Sequence, residues 1–129
     1  MKEIIAIVRL SKVNTTKKAL EKAGFPAFSC RKVMGRGKRA ADDGFYGDSK
    51  DLSGLPLTLA SEHITEAFRL IPKRVFTLIL KDQDVETAVK TIIRSNSTSN
   101  PGDGKIFVLP ILEAYRIRDG KEQEDSETY

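Results

Sequence analysis

The order of the periodic segments constrains this chain more than any other feature in it. Residues 3–9 (Glu-Ile-Ile-Ala-Ile-Val-Arg) are rich in β-branched side chains and almost continuously apolar, the pattern of a buried strand. Asn14 and Thr15 are of the types that cap helices, and Ala19, Leu20 and Ala23 follow at helical spacing until Gly24 ends the run. A second strand is expected from about Ala27 to Met34 and a third over residues 75–80. Asp82 or Asp84 then starts a second helix, with Val85, Ala88, Val89, Ile92 and Ile93 on one face. The Ser/Asn/Thr run from Ser95 to Asn100 ends that helix. Residues 105–109 read as a fourth strand and residues 115–118 as a short last one.

A βαββαβ order is that of the ferredoxin-like α+β sandwich, whose two helices cover one face of a single sheet. The opposite face is apolar enough to require a partner, so self-association is expected. The stretch from 36 to 72 interrupts this order, since unstructured loops longer than roughly 15 residues are uncommon unless they carry function. Its first half, 40–54, is rich in Gly, Asp and Ser. In its second half Ala60, Ile64, Ala67, Phe68 and Ile71 fall at helical spacing, which suggests a conditional amphipathic helix.

With 129 residues the chain has the size of one domain, and no apolar run approaches the roughly 20 residues of a membrane helix, so no membrane insertion is expected. Its start runs directly into a strand rather than into a signal peptide, and its single cysteine, Cys30, fits a reducing cytoplasm. Cys30 reads as a packing residue. The net charge of +4 conceals an acidic end: residues 119–129 hold Asp119, Glu122, Glu124, Asp125 and Glu127 against Lys121. The remainder carries 21 basic and 13 acidic residues, a balance suited to an anionic ligand or partner.

Three stretches bear chemistry suited to phosphate. In Pro101-Gly102-Asp103-Gly104-Lys105-Ile106-Phe107, glycines allow positive φ and close approach, and successive N–H groups in such a turn form an anion-binding concavity beside Lys105. Gly35-Arg36-Gly37-Lys38-Arg39 is the second. Arg116-Ile117-Arg118 is the third, with two arginines pointing to one side if the segment is a strand. Other classes fare worse. An RNA-binding module on this fold needs two or three exposed aromatics on its central strands, and strand four supplies only Phe107, so no nucleic-acid partner is expected. An enzyme needs a nucleophile–base pair, paired carboxylates or a metal cluster. None is legible, and the lone His63 stands in the long loop.

In this order the pieces resemble the PII signal-transduction (GlnB-like) family. The resemblance runs from Met1 to Arg39 and from Pro72-Lys73 to about Gly120, with residues 1–120 as the PII-like domain and 121–129 as an acidic tail. Gly-Asp-Gly-Lys-Ile-Phe-Val at 102–108 and Arg-Ile-Arg at 116–118 are similar to that family's C-terminal signature. Gly35-Arg36-Gly37-Lys38 is similar to the stretch that opens its protruding T-loop, here 36–72. The Met-Lys-Glu-Ile-Ile-Ala-Ile start, the Arg-Leu-Ile-Pro-Lys-Arg run and the enlarged loop resemble the nitrogenase-associated, nif-linked branch.

The resemblance implies a homotrimer, with or without a paralogue, holding ATP or ADP in clefts between subunits. Ser29, Gly35, Gly37, Lys38 and Ile79 would line the adenine and ribose wall, and Arg39 would also lie at the ATP/ADP site. Gly102, Asp103, Gly104 and Lys105 would wrap the phosphates, with Arg116 and Arg118 reaching in from the neighbour. Lys73 would meet the effector 2-oxoglutarate. Arg39 stands where the family commonly has the glutamine that ligates Mg²⁺, so Mg²⁺ is left open and Arg39 becomes a second candidate for the effector's carboxylates. The tyrosine-bearing motif of the usual T-loop tip is absent, and Tyr46 is a poor substitute for it. Dinitrogenase is the implied target, with Ile64 and Phe68 as contacts. An ammonium transporter or a nitrogen-assimilation enzyme is the alternative.

Overall fold

The computed structural model describes residues 1–35 and 70–123, and everything below concerns those residues. Contacts divide the chain into a body, Met1–Val33 with Lys73–Tyr129, and a second unit, Met34–Pro72. Expectations for the long loop, including its amphipathic helix and His63, lie almost wholly outside the described residues, as does the end of the acidic tail.

Strand β1 (Lys2–Arg9) alternates between buried Ile4, Ala6 and Val8 and half-buried Glu3, Ile5, Ile7 and Arg9. That alternation is the pleat of a strand with one covered face. Helix α1 (Val13–Lys22), β2 (Ser29–Gly35), β3 (Ile71–Leu80), α2 (Val85–Asn96) and β4 (Gly104–Pro110) complete the βαββαβ order. The sheet runs β2-β3-β1-β4, with β1 antiparallel to both β3 and β4. This is the ferredoxin-like arrangement. Leu20 of α1 and Ala88 and Ile92 of α2 join Ile4, Ala6, Val8, Phe76 and Leu78 in one core, and half-buried Cys30 packs against it.

Several element ends differ from the sequence expectation, each for a local reason. Asn14 and Thr15 do not cap α1. A 3-10 turn, Leu10–Lys12, leads straight into Val13, and no side chain caps the start. Asp84 stands immediately before α2 as expected, but its side chain does not cap the start; a second such turn, Asp82–Asp84, leads into the helix, and Asp82 is ion-paired to the Met1 amino group at 2.9 Å. Gly24 does end α1. At φ +89° it lets its own N–H reach Glu21 O (3.1 Å) and the Phe25 N–H reach Leu20 O (2.9 Å), which is the Schellman closure.

Strand β3 begins at Ile71, four residues earlier than expected, so Ile71 belongs to a strand and not to the loop helix. Pro72 is tolerated because the ladder with β1 stops at Arg9↔Lys73, beyond which no N–H is needed on that side. On α2, Ile93 is exposed rather than inward-facing. The inner stripe is Val85, Ala88, Val89, Ile92 and Asn96, and Ile93 is rotated one residue off it. No helix among the described residues is long and apolar enough to cross a membrane.

Candidate functional site

Register places three cations at one end of the sheet face that the helices leave open. Lys73 pairs with Arg9, and Lys105 pairs with Ile7, two residues along the same face from Arg9. Directly above them stands the turn that feeds β4. Its two glycines have φ +91° (Gly102) and +123° (Gly104), conformations that favour glycine. Gly104 also lies hard against β1, opposite Val8.

The turn is held by side chains from three elements. Arg9 Nε donates to Gly102 O at 3.1 Å and Nη2 to Pro101 O at 3.0 Å, while the same Nη2 lies 3.2 Å from Asp103 Oδ1. Lys73 Nζ donates to Gly102 O as well, at 3.1 Å. The Asp103 carboxylate accepts from Thr98 N (2.6 Å) and Thr98 Oγ1 (2.5 Å). Those bonds hold its carboxyl below the usual carboxylate range, the Thr98 hydroxyl first, with Arg9 adding to them. Partial burial pushes the Lys73 ammonium down, and the neighbouring Arg9 charge lowers it further, against the pull of Asp103. The product is a rigid glycine turn over a compact set of positive charges, suited to an anion.

Of the residues singled out from the sequence, the structure brings together Lys73, Gly102, Asp103, Gly104 and Lys105. Ser29 opens β2 and is exposed. Ile79 shares a strand and face with Lys73 but lies six residues away, about 20 Å at the rise of a strand. It lines a hollow of about 310 Å³ with Gly24, Pro26, Asp84 and Thr87. Gly35 ends β2 in the second unit, and Gly37, Lys38, Arg39, Ile64 and Phe68 lie outside the described residues.

Arg116 and Arg118 do not share a strand face. Residues 115–122 form a tight turn closed by a single bridge, Tyr115↔Glu122, with Arg116 N bonded to Lys121 O at 2.9 Å. Arg116 ion-pairs with Asp119 at 3.0 Å across that turn, and Arg118 is exposed. An acidic residue three positions on and a glycine at 120 with φ +67° favour reversal over extension.

Two members of the network escaped the sequence reading. Arg9 is legible only as the charged residue ending an apolar run, and Thr98 only as one of a polar cluster.

The fold and the turn together define an α+β domain of the ferredoxin-like class with one open sheet face and a glycine turn held over cations at its end. Comparison with known proteins narrows this. The family model described as Nitrogen regulatory protein P-II matches residues 1–121. The chain is 43% identical over 121 residues to the nifHD region glnB-like protein 2 of Methanococcus maripaludis, covering 92% of this chain and 93% of that one. It is 40% identical over 129 residues to the nifHD region GlnB-like protein 2 of Methanobacterium ivanovii, covering 98% of each. Among solved structures, Arabidopsis thaliana PII bound to citrate matches with a TM-score of 0.65 and 25% identity, over 95% of this chain and 85% of that chain. The chain belongs to the nitrogen regulatory protein P-II family, in its nif-region GlnB-like branch. The names of these relatives are regulatory, not enzymatic.

Proposed function

We propose that this protein is a cytoplasmic, trimeric sensor of ATP or ADP and of 2-oxoglutarate that controls dinitrogenase by direct contact, and that it is not an enzyme. The observation that carries the reading is the 3.1 Å hydrogen bond from Lys73 to the Gly102 carbonyl. It ties the lysine assigned to the effector to the turn assigned to the nucleotide phosphates. A carboxylate arriving at Lys73 would compete with that carbonyl, so either ligand alters the other's site through a single contact. A ligand shifts a conformational equilibrium only through such differential contacts. The solved citrate complex of a PII protein supports a polycarboxylate-binding role for this fold.

Gly102, Gly104 and Lys105 hold the phosphates in this reading. Arg116 and Arg118 come from a neighbouring subunit, while Ser29, Gly35, Gly37, Lys38 and Ile79 form the nucleoside wall. Arg39, in place of a neutral ligand, would bind the effector's carboxylate directly. Residues 36–72 are the output arm, with Ile64 and Phe68 as anchors for the target. The nif-region names of the relatives favour dinitrogenase over an ammonium transporter. The trimer of this reading forms from this chain alone or together with a paralogue.

A reconstituted dinitrogenase assay tests this, run with and without 2-oxoglutarate at fixed Mg-ATP. The intact chain should inhibit in an effector-dependent way, and a chain lacking residues 42–68 should bind ATP without inhibiting. Inhibition by the deleted form would remove the loop from the account, and no inhibition by the intact chain would redirect the search to transporters.

A further inference from the structure

Arg9 fixes more than the height of the glycine turn. No cis peptide bond occurs among the described residues, so each peptide plane carries its C=O and N–H on opposite edges. With Pro101 O drawn onto Arg9 Nη2, the Gly102 N–H in that plane is directed away from the guanidinium. The next plane repeats the arrangement. Gly102 O takes Arg9 Nε and Lys73 Nζ, which together occupy both of its lone pairs, and the Asp103 N–H faces away in turn. Two successive N–H groups on the side opposite a pair of pinned carbonyls make an anion cradle.

We propose that Arg9 is the positioning residue of the phosphate site: its guanidinium shapes turn 101–103 so that the Gly102 and Asp103 N–H groups are presented to an anion that Arg9 itself does not touch. The inference rests on the nucleotide reading above and names the device that prepares that site. Geometry singles out Arg9 for the role. It ends β1, where the Arg9↔Lys73 and Val8↔Gly104 pairings fix its backbone against both flanking strands. Its fork then spans two carbonyls and the Asp103 carboxylate at 3.0 to 3.2 Å. An ammonium carries the same charge but lacks the planar fork that holds several acceptors in fixed relation. A lysine at position 9 would therefore keep the attraction for phosphate and lose the shape.

The test compares the full chain with Arg9→Lys. In ligand-free protein, ¹H–¹⁵N spectra of the variant should show the Gly102 and Asp103 amides displaced, with the melting temperature close to that of the parent. Calorimetric titration with Mg-ATP should give an affinity lower by about tenfold. Unmoved amides, or ATP bound as tightly as by the parent, would overturn the assignment. If the parent itself does not bind ATP, the nucleotide reading fails, and the amide spectra alone still judge the role of Arg9. Should Arg9→Lys not fold, Arg9→Gln carries the same readouts, because its single amide donor group cannot span two carbonyls and the Asp103 carboxylate. The two amides should again shift and ATP should again weaken by about tenfold; amides at their parental positions would contradict the account.

Discussion

At the scale of single residues, a Cβ built on Gly104 would stand 1.9 Å from the carbonyl oxygen of Ile7, in a backbone conformation of φ +123°. The neighbour is backbone of a central strand and has little room to yield. Gly104→Ala should therefore destabilise the protein by about 2 to 4 kcal/mol, combining steric displacement with the cost of positive φ. Urea unfolding measures this, and a variant as stable as the parent would mean that β4 does not approach β1 so closely.

Asp103 gives a prediction in pH. Its pKa in the fold lies below its unfolded value, because Thr98 and Arg9 favour the charged form. The stability it contributes is complete above the ordinary carboxylate pKa of about 4 and is lost as pH falls through the depressed folded value. Below about pH 4 the parent should lose stability more steeply than Asp103→Asn, and equal slopes would show that the carboxylate does not hold the turn. The Gly-Asp-Gly motif was legible in sequence because glycine declares its backbone. The partners of the turn were not, since Arg9 reaches it across 93 positions, and nothing local in an arginine says which carbonyl it will meet.

Among elements, four strands and both helices followed from period, and the misplacements fell at their ends, at Ile93 on α2 and in the 115–118 segment. Both helices start from 3-10 turns that supply what a capping side chain would otherwise supply, which propensity does not announce. The 115–118 segment has the alternation of a strand, but the Arg116–Asp119 ion pair and Gly120 fold it into a turn. The helices are joined by a buried polar contact rather than by apolar packing alone. Asn96 Nδ2 donates to Thr16 Oγ1 at 2.9 Å, and Thr16 donates in turn to Lys12 O at 2.8 Å. Thr16 is fully buried and Asn96 nearly so. Thr16→Val keeps the shape and removes both bonds, so it should cost about 1 to 2 kcal/mol. Calorimetric melting reads the loss, and an unchanged midpoint would mean that this contact adds nothing to helix docking.

For the whole molecule, the face of the sheet away from the helices sets the behaviour. Ile5 pairs with Phe107 and Glu3 with Leu109 on that face, and Phe107 and Leu109 remain 46% and 40% exposed in the single chain. Apolar surface of this kind on a β-sheet calls for a partner. Light scattering should give the mass of three chains for the parent and a smaller species for Phe107→Glu. A monomeric parent at micromolar concentration would contradict assembly through this face. An open apolar face was legible in the apolar strands, but the registry that decides which side chains lie on it required the sheet itself.

The central claim is that the glycine turn and Lys105 form the phosphate end of a nucleotide site, and calorimetric titration with Mg-ATP tests it most directly. Charge-assisted contacts to phosphate contribute about 1.5 to 3 kcal/mol each, so Lys105→Ala should bind ATP at least about tenfold more weakly than the parent. Equal affinity in the two proteins would contradict the placement of phosphate at this turn.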